Sequence, residues 1–364
     1  MSSKRFTVNP FGDFKLASKD RSRLLEITDA LVQLKVEEYE SYIKTKKSVD
    51  PVYWKRFVSD GPVTTFTERK AFQSAGNMLS TLMVGPLVGT LDEVMFGLVS
   101  PTLESMRIKA SYLHDFSAAA VLATIIEPTL EKPFRSVVVK WAEFDIPGAS
   151  IGLVRNRDYV YVESTGILHY PNGERIGYHL VHSVNFPQTF ERQGRIRGNM
   201  SLCGIFRQEG LDRTDCRGTS VINPKGDIVP SMALARLVHA TMAGVNVHHV
   251  PQVNQELKAS RFEQDVQTVL WSTVPIVQSD EKLSFISPDL ELTQSKLSFC
   301  VKCLHEANHL DTLEAARYQF VYGHPAYQSA YGSVGTSFMS SLSGSIVATT
   351  PLSLRDYSFG EPEI

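Results

Sequence analysis

Six strand-length stretches follow one another in the middle of this chain with only turns between them: residues 118–126, 135–141, 158–168, 175–186, 195–207 and 213–222. The separators are Glu127-Pro128, Pro171-Asn172-Gly173, Gln193-Gly194, Glu209-Gly210 and Asn223-Pro224-Lys225-Gly226, all rich in residues that turns select. Parallel pairing needs a crossover helix between consecutive strands, and these connections are too short to hold one. One antiparallel sheet is therefore expected. A sheet of that width twists and curls, so its concave face needs an apolar cover.

The flanks supply candidates for that cover. After an irregular lead-in over 1–17, residues 18–46 carry Leu24, Ile27, Leu31 and Leu34 at helical spacing, uninterrupted by Gly or Pro. Residues 53–58 and 63–68 flank Asp60-Gly61-Pro62 and read as a hairpin, with a third strand over 80–88. Thr90 opens a helix with Asp92 and Glu93 in its first turn, and Pro101 opens another reaching about residue 112. Beyond Pro230, the residues Leu234, Leu237, Val238, Thr241, Met242 and Val245 form one apolar stripe at helical spacing. Residues 252–322 read as helix-rich. From 323 onward Ser, Thr and Gly crowd the chain, the composition of a disordered tail.

Composition narrows the function. The 37 Lys and Arg against 39 Asp and Glu leave a net charge of −2, which argues against a basic nucleic-acid surface. The longest apolar run, 116–126, is too short to span a membrane. The N-terminus has no apolar core of the signal-peptide kind, so a cytoplasmic protein is expected, at most peripheral to membranes. There is no phosphate loop ending in Gly-Lys-Ser/Thr and no Gly-x-Gly-x-x-Gly, so a nucleotide cofactor is not expected, and an enzyme is not the expected class.

Several short blocks resemble one family in the same order. Arg157-Asp158-Tyr159-Val160 is similar to the Arg-Asp-Phe-Val motif of START lipid-binding domains. Ser183-Val184 with Pro187, then Gly194-Arg195-Ile196-Arg197, resemble the following blocks, and Asn223-Pro224-Lys225-Gly226 before Pro230 resembles the passage into that domain's final helix. The wording of the whole chain looks closer still to a protist family joining a START-like domain to a FYVE-type finger. The resemblance covers about residues 18–250. It implies an α+β helix-grip fold, a curved antiparallel sheet covered by a C-terminal helix, enclosing a tunnel for one hydrophobic lipid. The turn over 164–173 or the loop over 191–194 would gate it. The tunnel candidates are Tyr159, Tyr161 and Glu163, which strand alternation places on one face, with Leu234, Leu237, Val238 and Thr241 from the helix. The alternative is that the tyrosines pack as ordinary core and the protein is a non-catalytic scaffold with a filled pocket.

In sterol-binding members of that family a basic residue stands six positions after the motif's Arg and pairs with an acid. Here Glu163 stands there, so a cholesterol reading is not supported. Asp227 likewise replaces the Trp common before the last helix. His179 and His182 fall on opposite faces of one strand, one expected solvated and the other a satisfied core histidine. Arg195 and Arg197 share a face and read as solvated, with transient contact to an anionic membrane surface as a further use.

The C-terminal segment 251–322 raises a metal question. His305-Glu306-x-x-His309 has the spacing of a zincin helix, which makes a zinc metalloprotease a remote alternative; the short remainder offers no third ligand and no substrate cleft. A single zinc on Cys300, Cys303, His305 and His309 would need the cysteines to lie on a knuckle, because on a continuous helix the two pairs point to opposite sides. The FYVE resemblance rests on Cys300 and Cys303 alone, with the other six ligands missing. It therefore implies a degenerate finger, and no bound metal is expected. The simplest reading is a helix docked through Leu304, Leu313 and Phe320.

Overall fold

The computed structural model describes residues 9–72, 78–103, 105–106, 116–144, 146, 149, 154–226, 228–229, 232–235, 237–238, 276–278, 283–286, 292–295, 298–300, 311–317 and 320. Its centre is a ten-stranded sheet. In chain order the strands are β1 (Trp54–Asp60), β2 (Val63–Glu68), β3 (Leu79–Val88), β4 (Phe116–Ile126), β5 (Ser136–Phe144), β6 (Asn156–His169), β7 (Arg175–Ser183), β8 (Arg195–Arg197), β9 (Asn199–Gln208) and β10 (Arg213–Asn223). They lie side by side as β1-β2-β3-β10-β9-β7-β6-β5-β4. Every pairing along that path is antiparallel, as the short turns require.

One stretch departs from expectation. Residues 195–207 form two strands rather than one, and β8 pairs in parallel with the start of β6. The break falls at Gly198, where an added Cβ would stand 2.5 Å from Cε1 of the Tyr159 ring. Glycine is needed there for that close approach.

Helix α1 (Ser18–Lys44) covers one face of the sheet. At 1.5 Å per residue its 27 residues span about 40 Å. Arg21 near its start donates to the Ile125 carbonyl of β4, and Tyr39 near its end donates to Asp215 of β10. Its buried residues are Leu24, Thr28, Val32, Val36, Tyr39 and Tyr42, while Leu34 is exposed. The buried stripe is thus turned from the leucine stripe read in the sequence, because the long β-branched and aromatic positions face the sheet. They pack on Leu82, Val84, Ile176, Leu180, Cys203 and Ile205. The lead-in is anchored on the same face, with Phe11 edge-on to Trp141.

The opposite face carries α2 (Leu91–Leu98), opened by a full capping box between Thr90 and Glu93. Leu91, Val94 and Met95 pack on Met83, Phe206 and Cys216 there. The chain continues through Ser100 and Pro101 to Met106 over the same face, with helical backbone at 103, 105 and 106. Helical backbone also returns at 232–235 and 237–238, and Ala233, Met232 and Leu234 meet Leu79, Ile222 and Ile228.

Most of the helix-rich expectation for 252–322 lies outside the described residues. The described residues there include four short strands, β11 (Ile276–Gln278), β12 (Leu283–Ile286), β13 (Leu292–Ser295) and β14 (Ser298–Cys300), paired as β11-β14 and β12-β13. Val277, Phe285, Ile286, Thr293 and Phe299 are β-branched or aromatic residues in short runs, a pattern that suits strands better than a helical stripe. Helix α3 (Thr312–Arg317) follows. Ala315, Ala316 and Phe320 are buried against α2, with the Phe96 and Phe320 rings 5.5 Å apart, and Leu313 packs at the same cluster. The docking expected through Leu313 and Phe320 is present; Leu304 and the tail from 323 lie outside the described residues. Among the described residues no helix is long and apolar enough to cross a membrane.

Candidate ligand-binding face

Alternation along β6 divides its side chains. Asp158, Val160 and Val162 point to the α1 side, and Tyr159, Tyr161 and Glu163 to the side of α2 and Met106. The last three are all buried. Tyr159 and Tyr161 share a cluster with Met106, Ala119, Ala142 and Val181, flanked by Met200, Leu202 and Ile222. Ile222 also belongs to the cluster under residues 228–234. Ile222 thereby links the sheet tyrosines to the residues at 228 and 232–234 on the same face. Burial raises both phenol pKa values, and the nearby Glu163 carboxylate adds to the rise at Tyr161. The Phe144 ring stands edge-on to Tyr159, 5.7 Å away.

Within this face lies one charged cluster. Lys140 of β5, fully buried, bonds the Glu163 carboxylate and the Ser100 carbonyl, and its Nζ is 3.0 Å from the Ser100 hydroxyl. The other Glu163 oxygen meets His179 Nε2 at 2.8 Å, and the Ser100 hydroxyl donates to Glu163 at 3.3 Å. Burial depresses the Lys140 pKa, and the Glu163 carboxylate opposes that shift. A buried ion pair of this kind holds only with such further hydrogen bonds. The hydroxyl bonds the acid rather than the imidazole, so the set lacks the Ser-to-His contact of a nucleophile relay. It offers instead a fixed array of donors and acceptors in an apolar wall.

Glu163 was legible in the sequence as an acid where a base was expected. Its base, Lys140, was not singled out, nor was Ser100. Lys140 lies diagonally across the β5–β6 ladder, where Val138 faces Glu163 and Lys140 faces Tyr161. Only the register reveals that neighbour. His179 is the histidine of this cluster. His182 lies on the α1 face against the Ser201 hydroxyl at 3.0 Å, so both histidines have partners and neither is simply solvated.

The arginine face reads differently in three dimensions. Arg197 is buried, with its guanidinium on Asp158 at 2.8 and 3.1 Å, and Asp158 also accepts from the Trp141 indole. Arg195 and Arg192 both reach Glu143. Arg207 pairs with Glu174, Arg213 with Glu209 and Arg217 with Glu38. The expectation of a solvated face at Arg195 and Arg197 is therefore corrected. Glu143 and Asp158, distant from Arg195 and Arg197 in sequence, take up their charges. Arg157, the first residue of the motif, is buried and donates to the Pro224 and Lys225 carbonyls, which ties β6 to the turn before the helix.

Leu237 and Val238 are buried and Leu234 half-buried, while Thr241 lies outside the described residues. So do Asp227, Cys303, His305, Glu306 and His309; Cys300 ends β14 opposite Ile276. Among the described residues no cluster of three or more metal-ligating side chains occurs. Residues 167–169, within the turn region read as a gate, line a separate cleft of about 590 Å³ with Val32, Phe134, Arg135 and Leu313. The loop over 191–194 carries Arg192 against Glu143.

No family model matches the chain, and no curated protein matches it. Solved structures do resemble it. Human StAR-related lipid transfer protein 5 superposes with a TM-score of 0.45 and 15% identity, over 65% of this chain and 98% of that one. Human STARD10 gives 0.41 and 13%, over 64% and 84%. An aromatase/cyclase from a Streptomyces species, Zhui, gives 0.29 and 13%, over 50% and 97%.

Proposed function

We propose that the chain is a START-like lipid-binding protein. In this reading one hydrophobic lipid lies between the sheet face of Tyr159, Tyr161 and Glu163 and the residues that pack over it, among them Met106, Ile228, Met232 and Leu234. The observation that carries the reading is the Lys140–Glu163–His179–Ser100 cluster. It is charge-balanced, buried and flanked by apolar side chains, which is how a lipid site orients a polar headgroup while its walls hold the chains. Burial of hydrocarbon supplies the affinity, about 0.8 kcal/mol per CH₂, so a chain of ordinary length can leave a membrane for such a site. The protein acts as a carrier in this reading, with no covalent step. The degenerate FYVE-like segment contributes by docking α3 and Phe320 onto α2, behind the cover.

Titration of the full chain with a fluorescently labelled fatty acid and a labelled phospholipid tests the reading. Saturable binding is expected for at least one of them, abolished by Leu202→Trp, which fills the middle of the face. Circular dichroism and the melting temperature of that variant separate a blocked site from a misfolded chain. Unchanged binding in a folded Leu202→Trp variant would place the lipid elsewhere. Absence of binding to the wild type would favour the scaffold with a filled pocket.

A further inference from the structure

The same face carries a second polar station. The ladders align a row across five strands: Thr81 of β3 faces Ser220 of β10, which faces Leu202 of β9, then Val181 of β7, then Glu163 of β6. Thr67 of β2 extends the row beyond Thr81. Directly paired residues point to the same side of a sheet, so the row reads Thr, Thr, Ser, Leu, Val, Glu along the face that holds Tyr161. Thr67, Thr81 and Ser220 are all buried. Along β3, Thr81 lies between Leu79, under residues 228–234, and Met83, under α2. Among the described residues, Thr81 Oγ1 is the one buried side-chain polar atom without a hydrogen-bond partner. An orphan hydroxyl of this kind destabilises the chain that carries it, and Val has the same shape without that cost.

We infer that the hydroxyls of Thr67, Thr81 and Ser220 receive a second polar group of the bound ligand. The ligand is then a neutral amphiphile with a hydrogen-bonding group at each end. At about 4.8 Å between strands, Ser220 and Glu163 stand about 14 Å apart along the row, with Leu202 and Val181 between them. The hydrocarbon body crosses those two residues, one end meets the Lys140–Glu163 cluster, and the other passes Ser220 to bond the Thr81 hydroxyl one strand further, about 19 Å from Glu163 along the row. This assignment rests on the lipid-binding reading and specifies its substrate class.

The test uses the full chain and two probes, dodecanol and the α,ω-diol of dodecane, each displacing a solvatochromic dye. The wild type is expected to bind the diol at least as tightly as dodecanol, although the second hydroxyl makes the diol the more water-loving of the two. Thr81→Val is expected to weaken the diol about tenfold, to leave dodecanol unchanged and to raise the melting temperature of the free protein. Thr81→Ser should restore the diol. Equal effects on both probes, no effect on either, or a free Thr81→Val protein no more stable than the wild type would each overturn the assignment. If neither probe binds the wild type but a labelled phospholipid does, the two-ended ligand class fails and the lipid-binding reading stands. If nothing binds, both fail.

Discussion

Lys140 and Glu163 sit where an unpaired charge costs most. Removing one partner of a buried pair strands the other, and the usual loss is about 3–5 kcal/mol. Glu163→Gln is therefore expected to lower the urea midpoint sharply. The double change Lys140→Met with Glu163→Leu should retain much more stability, because it leaves no buried charge. A second residue-scale expectation concerns acid. Burial holds His182 below its ordinary value of 6.5, so the folded chain binds fewer protons at this site than the unfolded chain. Stability at this residue is full above pH 6.5 and falls as pH drops from there toward the folded pKa. His182→Gln should flatten that part of the melting-temperature profile against pH, and an unchanged profile would exclude the residue as its source. The thiols behave in the opposite sense: burial pushes Cys203 up to about 12, so slow reaction with a thiol reagent at neutral pH is expected until the chain unfolds. At this scale the sequence showed Glu163 and both tyrosines because alternation is local. It hid Lys140, Ser100 and Asp158 because their roles depend on which strands lie side by side.

Among the elements, α2 was the most legible, since Thr90 and Glu93 form its capping box within four residues. Thr90→Ala is expected to cost about 1 kcal/mol, read from the urea midpoint. Helix α1 was legible in length but not in orientation. Its leucines marked one stripe, whereas Val32, Val36, Tyr39 and Tyr42 met the sheet and Leu34 stayed exposed. A single helix cannot announce which of two apolar edges its partner prefers. The segment after residue 252 was the least legible, because short apolar runs suit strand and helix alike. Helix α3 has a sharper consequence. Phe320→Ala should cost about 3 kcal/mol of its docking, seen as faster hydrogen exchange over 312–317 and along α2 with the sheet unaffected. Equal protection in both proteins would mean that the Phe96–Phe320 contact does not hold the segment.

At the scale of the whole molecule, antiparallel order followed from turn length alone, but one junction did not. The pairing of β3 with β10 joins residues more than a hundred positions apart and brings the N-terminal hairpin to the six-strand meander. That junction sets Thr81 beside Ser220 and completes the long polar and apolar row on the face opposite α1. The two faces then divide the work. On the α1 side, Asp158, Glu143 and Asp215 gather Arg197, Arg195 and Lys47 and bind the elements together. On the other side Met106, Ile228, Met232, Ala233 and Leu234 pack over the sheet, and the proposed ligand would be enclosed there. Native mass spectrometry of the full chain purified from cells tests this division most directly. A population carrying one lipid per chain, released on collisional activation, is the expected result. Ligand-free protein alone, together with no uptake of any hydrophobic probe, would contradict it.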